Sequence, residues 1–114
     1  MSIKTALLAF LLLTFATPAL PASFDCNKAA AMDELAVCND RELSELDVKM
    51  ATWFEAITGL VPMGTRGAIQ DEQLAWLKQR AACNSDRRCL RNSYLSRIEA
   101  LHKHYEALRS RGPF

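Results

Sequence analysis

The chain has 114 residues, with 14 basic and 13 acidic side chains and a formal net charge of +1. That length holds a single domain with one modest core. The near-neutral balance lacks the strongly basic signature of a nucleic-acid-binding protein, and no low-complexity tract interrupts the chain.

The N-terminus reads as a secretory signal over residues 1–22. Lys4 supplies the positive start, and residues 6–16 form an apolar run of about eleven residues, short of the ~20 that a membrane-spanning helix needs. Pro18 and Pro21 break the run ahead of Ala19, Ala22 and Ser23. Cleavage is expected after Ala22, with Ala19 as the second choice. Ser23-Phe24-Asp25 lacks the small-residue box that precedes a lipid-modified cysteine, so the expectation is a periplasmic or secreted domain over residues 23–114 without a membrane span. Within that segment the halves carry opposite charge. Residues 23–72 hold ten acidic and four basic side chains, and residues 73–114 hold three acidic and nine basic ones. Packing of the halves side by side would neutralise them; otherwise one face stays charged for a partner.

Four cysteines in a small exported domain imply two disulfides, with three possible connectivities. The spacings Cys26-x11-Cys38 and Cys83-x5-Cys89 favour local pairing and are unlike the knuckles of zinc sites. A continuous helix from 26 to 38 would hold its ends ~18 Å apart, whereas a disulfide spans at most ~7 Å. Residues 26–31 must therefore double back along a short helix near 32–38.

The next helix is expected to open on a capping box, Asn39 with Glu42. It continues through an apolar stripe of Leu43, Leu46, Met50, Trp53, Phe54 and Ile57. Gly59 is expected to end it, and residues 59–67 read as a loop from their glycine and proline content. A third helix over 68–82 would turn Leu74, Trp76, Leu77 and Ala81 inward. After the polar turn Asn84–Arg88 comes the clearest periodicity, Leu90, Tyr94, Ile98, Leu101, Tyr105 and Leu108. The fold class is all-α, a small bundle or hairpin of about four helices with two local disulfides. Arg87, Arg88 and Arg91 open the fourth helix, where the helix dipole disfavours positive charge. Asp40, Glu42, Glu45 or Asp47 of the second helix is the expected compensation, and an acidic partner is the alternative.

No catalytic constellation emerges. His102 and His104 diverge by ~200° on one helix and cannot share a metal from one face. No serine sits in a glycine-flanked elbow, the cysteines are consumed in bridges, and no phosphate loop is present. The expectation is a binding protein, with no enzyme activity, catalytic residue, metal, cofactor or nucleic-acid partner. Tyr94 and Tyr105 fall on the core seam rather than between the exposed arginines.

Several segments resemble the LprI-type lysozyme inhibitor family. They are Phe24-Asp25-Cys26, Glu34-x-x-x-Cys38, Leu43-x-x-Leu46-Asp47-x-x-Met50, Gln73-x-x-Trp76-Leu77-x-x-Arg80-x-x-Cys83 and Cys89-Leu90-x-x-x-Tyr94-x-x-Arg97. The family often places an acid after the arginine, where this chain has Ala81, and its founding type is a lipoprotein. The resemblance implies an LprI-like helical domain with local disulfides and a protein partner, lysozyme. A muramidase cleft carries two carboxylates flanking the scissile bond. Two segments of this chain can offer donors to them: the Cys83–Cys89 turn with Arg87 and Arg88, and the 59–67 loop with Thr65 and Arg66. Alternatively, the acidic half attracts a basic enzyme without entering its cleft. Among the motif residues, Trp76 and Tyr94 are expected as core anchors. Arg80 and Arg97 are expected to pair within the domain, with Asp47 or Glu55, and Gln73 belongs to the same structural set. A periplasmic chaperone or binding module without lysozyme inhibition is the alternative function.

Overall fold

The computed structural model describes residues 22–113. The apolar run of the expected signal lies outside them. A short 3-10 turn at Cys26–Lys28 leads into four helices: α1 (Met32–Asn39), α2 (Arg41–Leu60), α3 (Met63–Ala82) and α4 (Arg87–Arg109). No strand occurs among the described residues, and both disulfides are local, Cys26–Cys38 and Cys83–Cys89.

The first disulfide shapes the N-terminal segment as the spacing demands. Its Cα atoms lie 5.8 Å apart, so the chain turns at Cys26–Lys28, extends through Ala29 and returns along α1. An eight-residue helix is marginal alone. α1 is held by this bridge and by the Ser44 hydroxyl, which donates to the Val37 carbonyl at 2.6 Å. α2 is capped one residue later than the sequence suggested. Asn39 is still helical and its side-chain amide donates to the Leu35 carbonyl. Asp40 is extended, and its carboxylate accepts from the Leu43 N–H at 3.0 Å.

The expected loop over residues 59–67 is a correction. α2 runs through Gly59 to Leu60, and α3 begins at Met63, so Thr65 and Arg66 lie in the opening turns of a helix. Only Val61 and Pro62 separate the two helices. Proline biases its predecessor toward extended backbone, and Val61 is extended here. Tertiary contacts override the glycines: Arg66 Nε donates to the Thr58 carbonyl at 2.6 Å, and Val61 and Ile69 are buried.

The inward face of α3 is a second correction. Leu74 is 60% exposed and Ala81 is exposed, while the buried positions are Ile69, Gln73, Trp76 and Arg80. Leu77 is only partly buried. Two polar residues therefore occupy core positions. The face is turned by one residue from the one that hydrophobicity alone selects, because Gln73 and Arg80 find buried partners. α4 buries Leu90, Tyr94, Leu101 and Leu108, with Ile98 and Tyr105 partly buried beside them.

Helix directions follow from the contacts. Asp40 meets Arg87, Asp47 meets Tyr94 and Trp53 meets Tyr105, so α2 and α4 run the same way and form the most extensive helix pair. α3 runs the opposite way along both, pairing Thr58 with Arg66, Glu72 with Arg97 and Arg80 with Tyr94. The core carries two edge-on aromatic pairs, Trp76 with Tyr94 at 5.2 Å and Trp53 with Tyr105 at 5.1 Å. Each contributes about 0.5–1.5 kcal/mol beyond burial of its area.

Candidate functional site

The motif residues converge on a buried polar cluster. Arg80 Nε donates to Asp33 at 2.8 Å, and Arg80 Nη1 donates to the Tyr94 hydroxyl at 3.2 Å. Tyr94 in turn donates to Asp47 Oδ1 at 2.8 Å, and Arg80 Nη1 stands 3.8 Å from the same oxygen. The other Asp47 oxygen accepts from the Ser23 amide and hydroxyl. Asp33, Asp47 and Arg80 are each less than a tenth exposed. Burial, reinforced by the Asp47 charge, pushes the Tyr94 phenol far above its ordinary value and keeps it a neutral donor. The Arg80 guanidinium lies over the rings of Phe24 and Trp76, at 5.6 and 5.7 Å from their centroids.

A second polar layer lies further along α3 and α4. Arg97 donates to Gln73 at 2.8 Å and to the Ile69 carbonyl at 3.3 Å, and reaches Glu72 at 3.4 Å. Burial lowers the Arg97 pKa from its ordinary value. Burial also opposes the charge of Glu72, but His104 at 2.9 Å and Arg97 outweigh it and lower that carboxyl. Gln73 completes its bonding with the Met50 sulfur at 3.2 Å. Glu55 is exposed and pairs with neither arginine.

These contacts make the motif residues organisers of the interior. Asp33 and Ser23 belong to the same cluster, and sequence reasoning did not select them. Asp33 had one available signal: an acid in the first turn of a helix pinned by a disulfide, where the dipole favours it. Ser23 had none, since its contact comes from α2, 24 residues away.

The stapled turn is built differently. Cys83 ends α3, Asn84 adopts a left-handed conformation with φ 52°, and Asp86 caps α4 by accepting from the Cys89 N–H at 3.0 Å. All six residues from Asn84 to Cys89 are exposed, between buried Cys83 and Leu90. Within the turn the two arginines have different surroundings. Arg87 donates to Asp40 and Glu42 at 2.6 Å each, and Arg91 donates to Glu42 at 2.6 Å. The Leu43 N–H and Arg87 hold the Asp40 carboxyl below its ordinary value, and Arg91 and Arg87 do the same for Glu42. Arg87 is thus tied back to α2, which relieves the dipole conflict at the start of α4. Among the described residues Arg88 makes no ion pair.

The second candidate segment gives a weaker surface. Thr65 and Arg66 are half-buried, and Arg66 is bonded to α2. The exposed groups at that end are Leu60 and Met63, at 67% and 83%. His102 stacks edge-on against Trp53 at 5.5 Å, while His104 faces Glu72. Among the described residues no cluster of ligands could hold a metal, and no helix is long and apolar enough to cross a membrane.

Among the described residues every ion pair between helices joins an acid from residues 23–72 to a base from residues 73–114: Arg80 with Asp33 and Asp47, Arg87 with Asp40 and Glu42, Arg91 with Glu42, and Arg97 and His104 with Glu72. The charge asymmetry of the chain is thereby used up largely at internal contacts.

The architecture defines a disulfide-braced four-helix domain whose polar motif residues face inward and whose basic turn faces outward. Among characterised proteins it is distantly similar to Lipoprotein LprI of Mycobacterium bovis and of Mycobacterium tuberculosis, each 30% identical over 88 residues. The match covers 75% of this chain and 43% of each relative, so the chain corresponds to less than half the length of those lipoproteins. No family model matches the chain, and no solved structure matches it significantly. An LprI-like relationship and the two disulfides are both consistent with an exported protein.

Proposed function

We propose that this domain is an exported binding protein that inhibits lysozyme by seating its stapled turn against the enzyme's catalytic cleft. The observation that carries this reading is the exposure of the whole Asn84–Cys89 turn on a closed disulfide, with Arg87 anchored and Arg88 unpaired among the described residues. A loop already held in shape loses little entropy on binding. A guanidinium offers two parallel donors to a carboxylate, and a muramidase cleft holds two carboxylates around the scissile bond. The distant similarity to LprI adds the family context, in which the sequence resemblance implies lysozyme inhibition.

The roles of the two arginines then separate. Arg88 is the contact group, and Arg87 is the strut that fixes the turn on α2. Calorimetric titration of the oxidised domain into chicken-type lysozyme tests the division. A one-to-one complex is expected, weakened about 30-fold or more by Arg88→Ala, the scale of an interface hot spot. Equal affinity for wild type and Arg88→Ala would move the site off this turn.

The exposed Leu60 and Met63 favour one other reading, a general binding module for apolar segments of envelope proteins. Suppression of aggregation of unrelated unfolded proteins, lost in a Leu60→Ser/Met63→Ser variant, would select it.

A further inference from the structure

The buried cluster is one positive charge short. Asp33 and Asp47 contribute two carboxylates, Arg80 contributes one guanidinium, and Tyr94 bonds to Asp47 as a neutral phenol. A carboxylate as enclosed as Asp47, at 1% exposure, is costly without a full counter-charge. The remaining contacts to Asp47 come from Ser23: its backbone nitrogen lies 2.7 Å from Oδ2 and its hydroxyl 2.5 Å from the same oxygen. Ser23 itself is exposed, so a charge placed on its nitrogen would keep water on its outer side while facing the carboxylate.

We infer that the chain is processed between Ala22 and Ser23 and that the new α-ammonium of Ser23 is the missing counter-ion of Asp47. The step is hydrolysis by a processing endopeptidase. Water adds across the peptide bond, leaving a carboxylate on Ala22 and an amine on Ser23. The amine takes up a proton near neutral pH, since a free α-amino group has a pKa of about 7.7–8.0. The neutral amide bond to Asp47 becomes a charge-assisted one, about twice as strong. Cleavage one segment earlier, after Ala19, would leave Leu20-Pro21-Ala22 in place and Ser23 as a neutral amide.

The order of events also follows. Ala22 is 5% exposed and packs with the core, so once the domain has folded the residue before the bond is withdrawn from an endopeptidase cleft, which must grip the chain on both sides of the bond. Processing therefore precedes folding, and the new terminus settles against Asp47 with its outer side in water. Phe24, the next residue, covers the guanidinium of Arg80, so the same short segment touches both ends of the cluster.

The test begins with the exported protein produced from the full chain. Its intact mass and N-terminal sequence are expected to start at Ser23; any other start overturns the inference. The Ser23-initiated domain is then compared with the same domain acetylated at Ser23, which blocks the charge without altering a core residue. Urea unfolding at neutral pH is expected to show a folded-to-unfolded ratio about fivefold to thirtyfold lower for the acetylated form. The difference should vanish in an Asp47→Asn background. Equal stability of the free and acetylated forms would overturn the pairing even if the processing site is correct.

Discussion

Replacing Arg80 by methionine keeps most of the volume of the side chain and removes its charge. Asp33 then loses its partner at 2.8 Å, Tyr94 loses a donor at 3.2 Å, and Asp47 loses the guanidinium at 3.8 Å. All of these groups are buried, and breaking such a pair from one side costs about 3–5 kcal/mol, because the remaining charge has no partner. For a domain of this size each 1 kcal/mol moves Tm by about 4–8 °C. The lower bound of ~3 kcal/mol thus corresponds to a fall of roughly 12–24 °C, a large part of a total stability of about 5–15 kcal/mol. Urea unfolding followed by far-UV circular dichroism, with both disulfides intact, gives the value directly. A double variant, Arg80→Met with Asp33→Asn, should recover about 1–3 kcal/mol of the loss, since it removes the stranded carboxylate as well. A loss below ~1 kcal/mol for Arg80→Met alone would refute the reasoning, because that is the scale of an exposed pair.

Three further outcomes follow from the same contacts. Gly67→Ala should stabilise the domain by about 0.5–1 kcal/mol, since the residue is helical and an added Cβ meets nothing within 4 Å; destabilisation in urea would contradict a helical start at Met63. Ile69→Ala should cost about 2–5 kcal/mol, while Leu74→Ala on the exposed side of α3 should change stability by less than about 0.5 kcal/mol; the reverse order would restore the face that hydrophobicity alone selects. On acidification, Asp40, Glu42 and Glu72 have folded-state pKa values lowered from 3.8, 4.5 and 4.5. The stability they lend is complete above those ordinary values and is lost as pH falls through the lowered folded ones. Urea midpoints should therefore hold steady down to about pH 5 and decline below about pH 4; a midpoint that rises in that range would overturn the ion-pair assignment.

The features that were legible in the sequence are those set by short-range rules. Cysteine spacing and disulfide reach placed the reversal before α1, and the four-and-three spacing placed α2 and α4. The interhelical compensation of Arg87 and Arg91 was legible too, because a cluster of bases at a helix start requires acids nearby. The misreadings came from long-range contacts. Gly64 and Gly67 argued locally for a loop, but burial of Val61 and Ile69 and the Arg66 bond to α2 draw them into a helix. Arg80 and Gln73 were legible as structural residues, but the inward face was drawn through Leu74 and Ala81, because hydrophobicity alone does not show that buried partners on other helices bring Gln73 and Arg80 inside. Ser23 was invisible because its partner lies 24 residues away, and the helix-start signal at Asp33 does not point to a partner 47 residues away. For the candidate site, the sequence placed Arg87 and Arg88 on one turn. Which of them stays available depends on Asp40 and Glu42, which only the fold brings alongside.

The most direct measurement is lysozyme activity on a cell-wall suspension with the oxidised domain titrated in, using chicken-type and goose-type enzymes. The account predicts stoichiometric loss of lysis with at least one of them, an inhibition abolished by Arg88→Ala and weakened both by Arg87→Ala and by replacing the Cys83–Cys89 bridge with serines. Undiminished lysis by both enzymes at micromolar excess of the folded domain would contradict it.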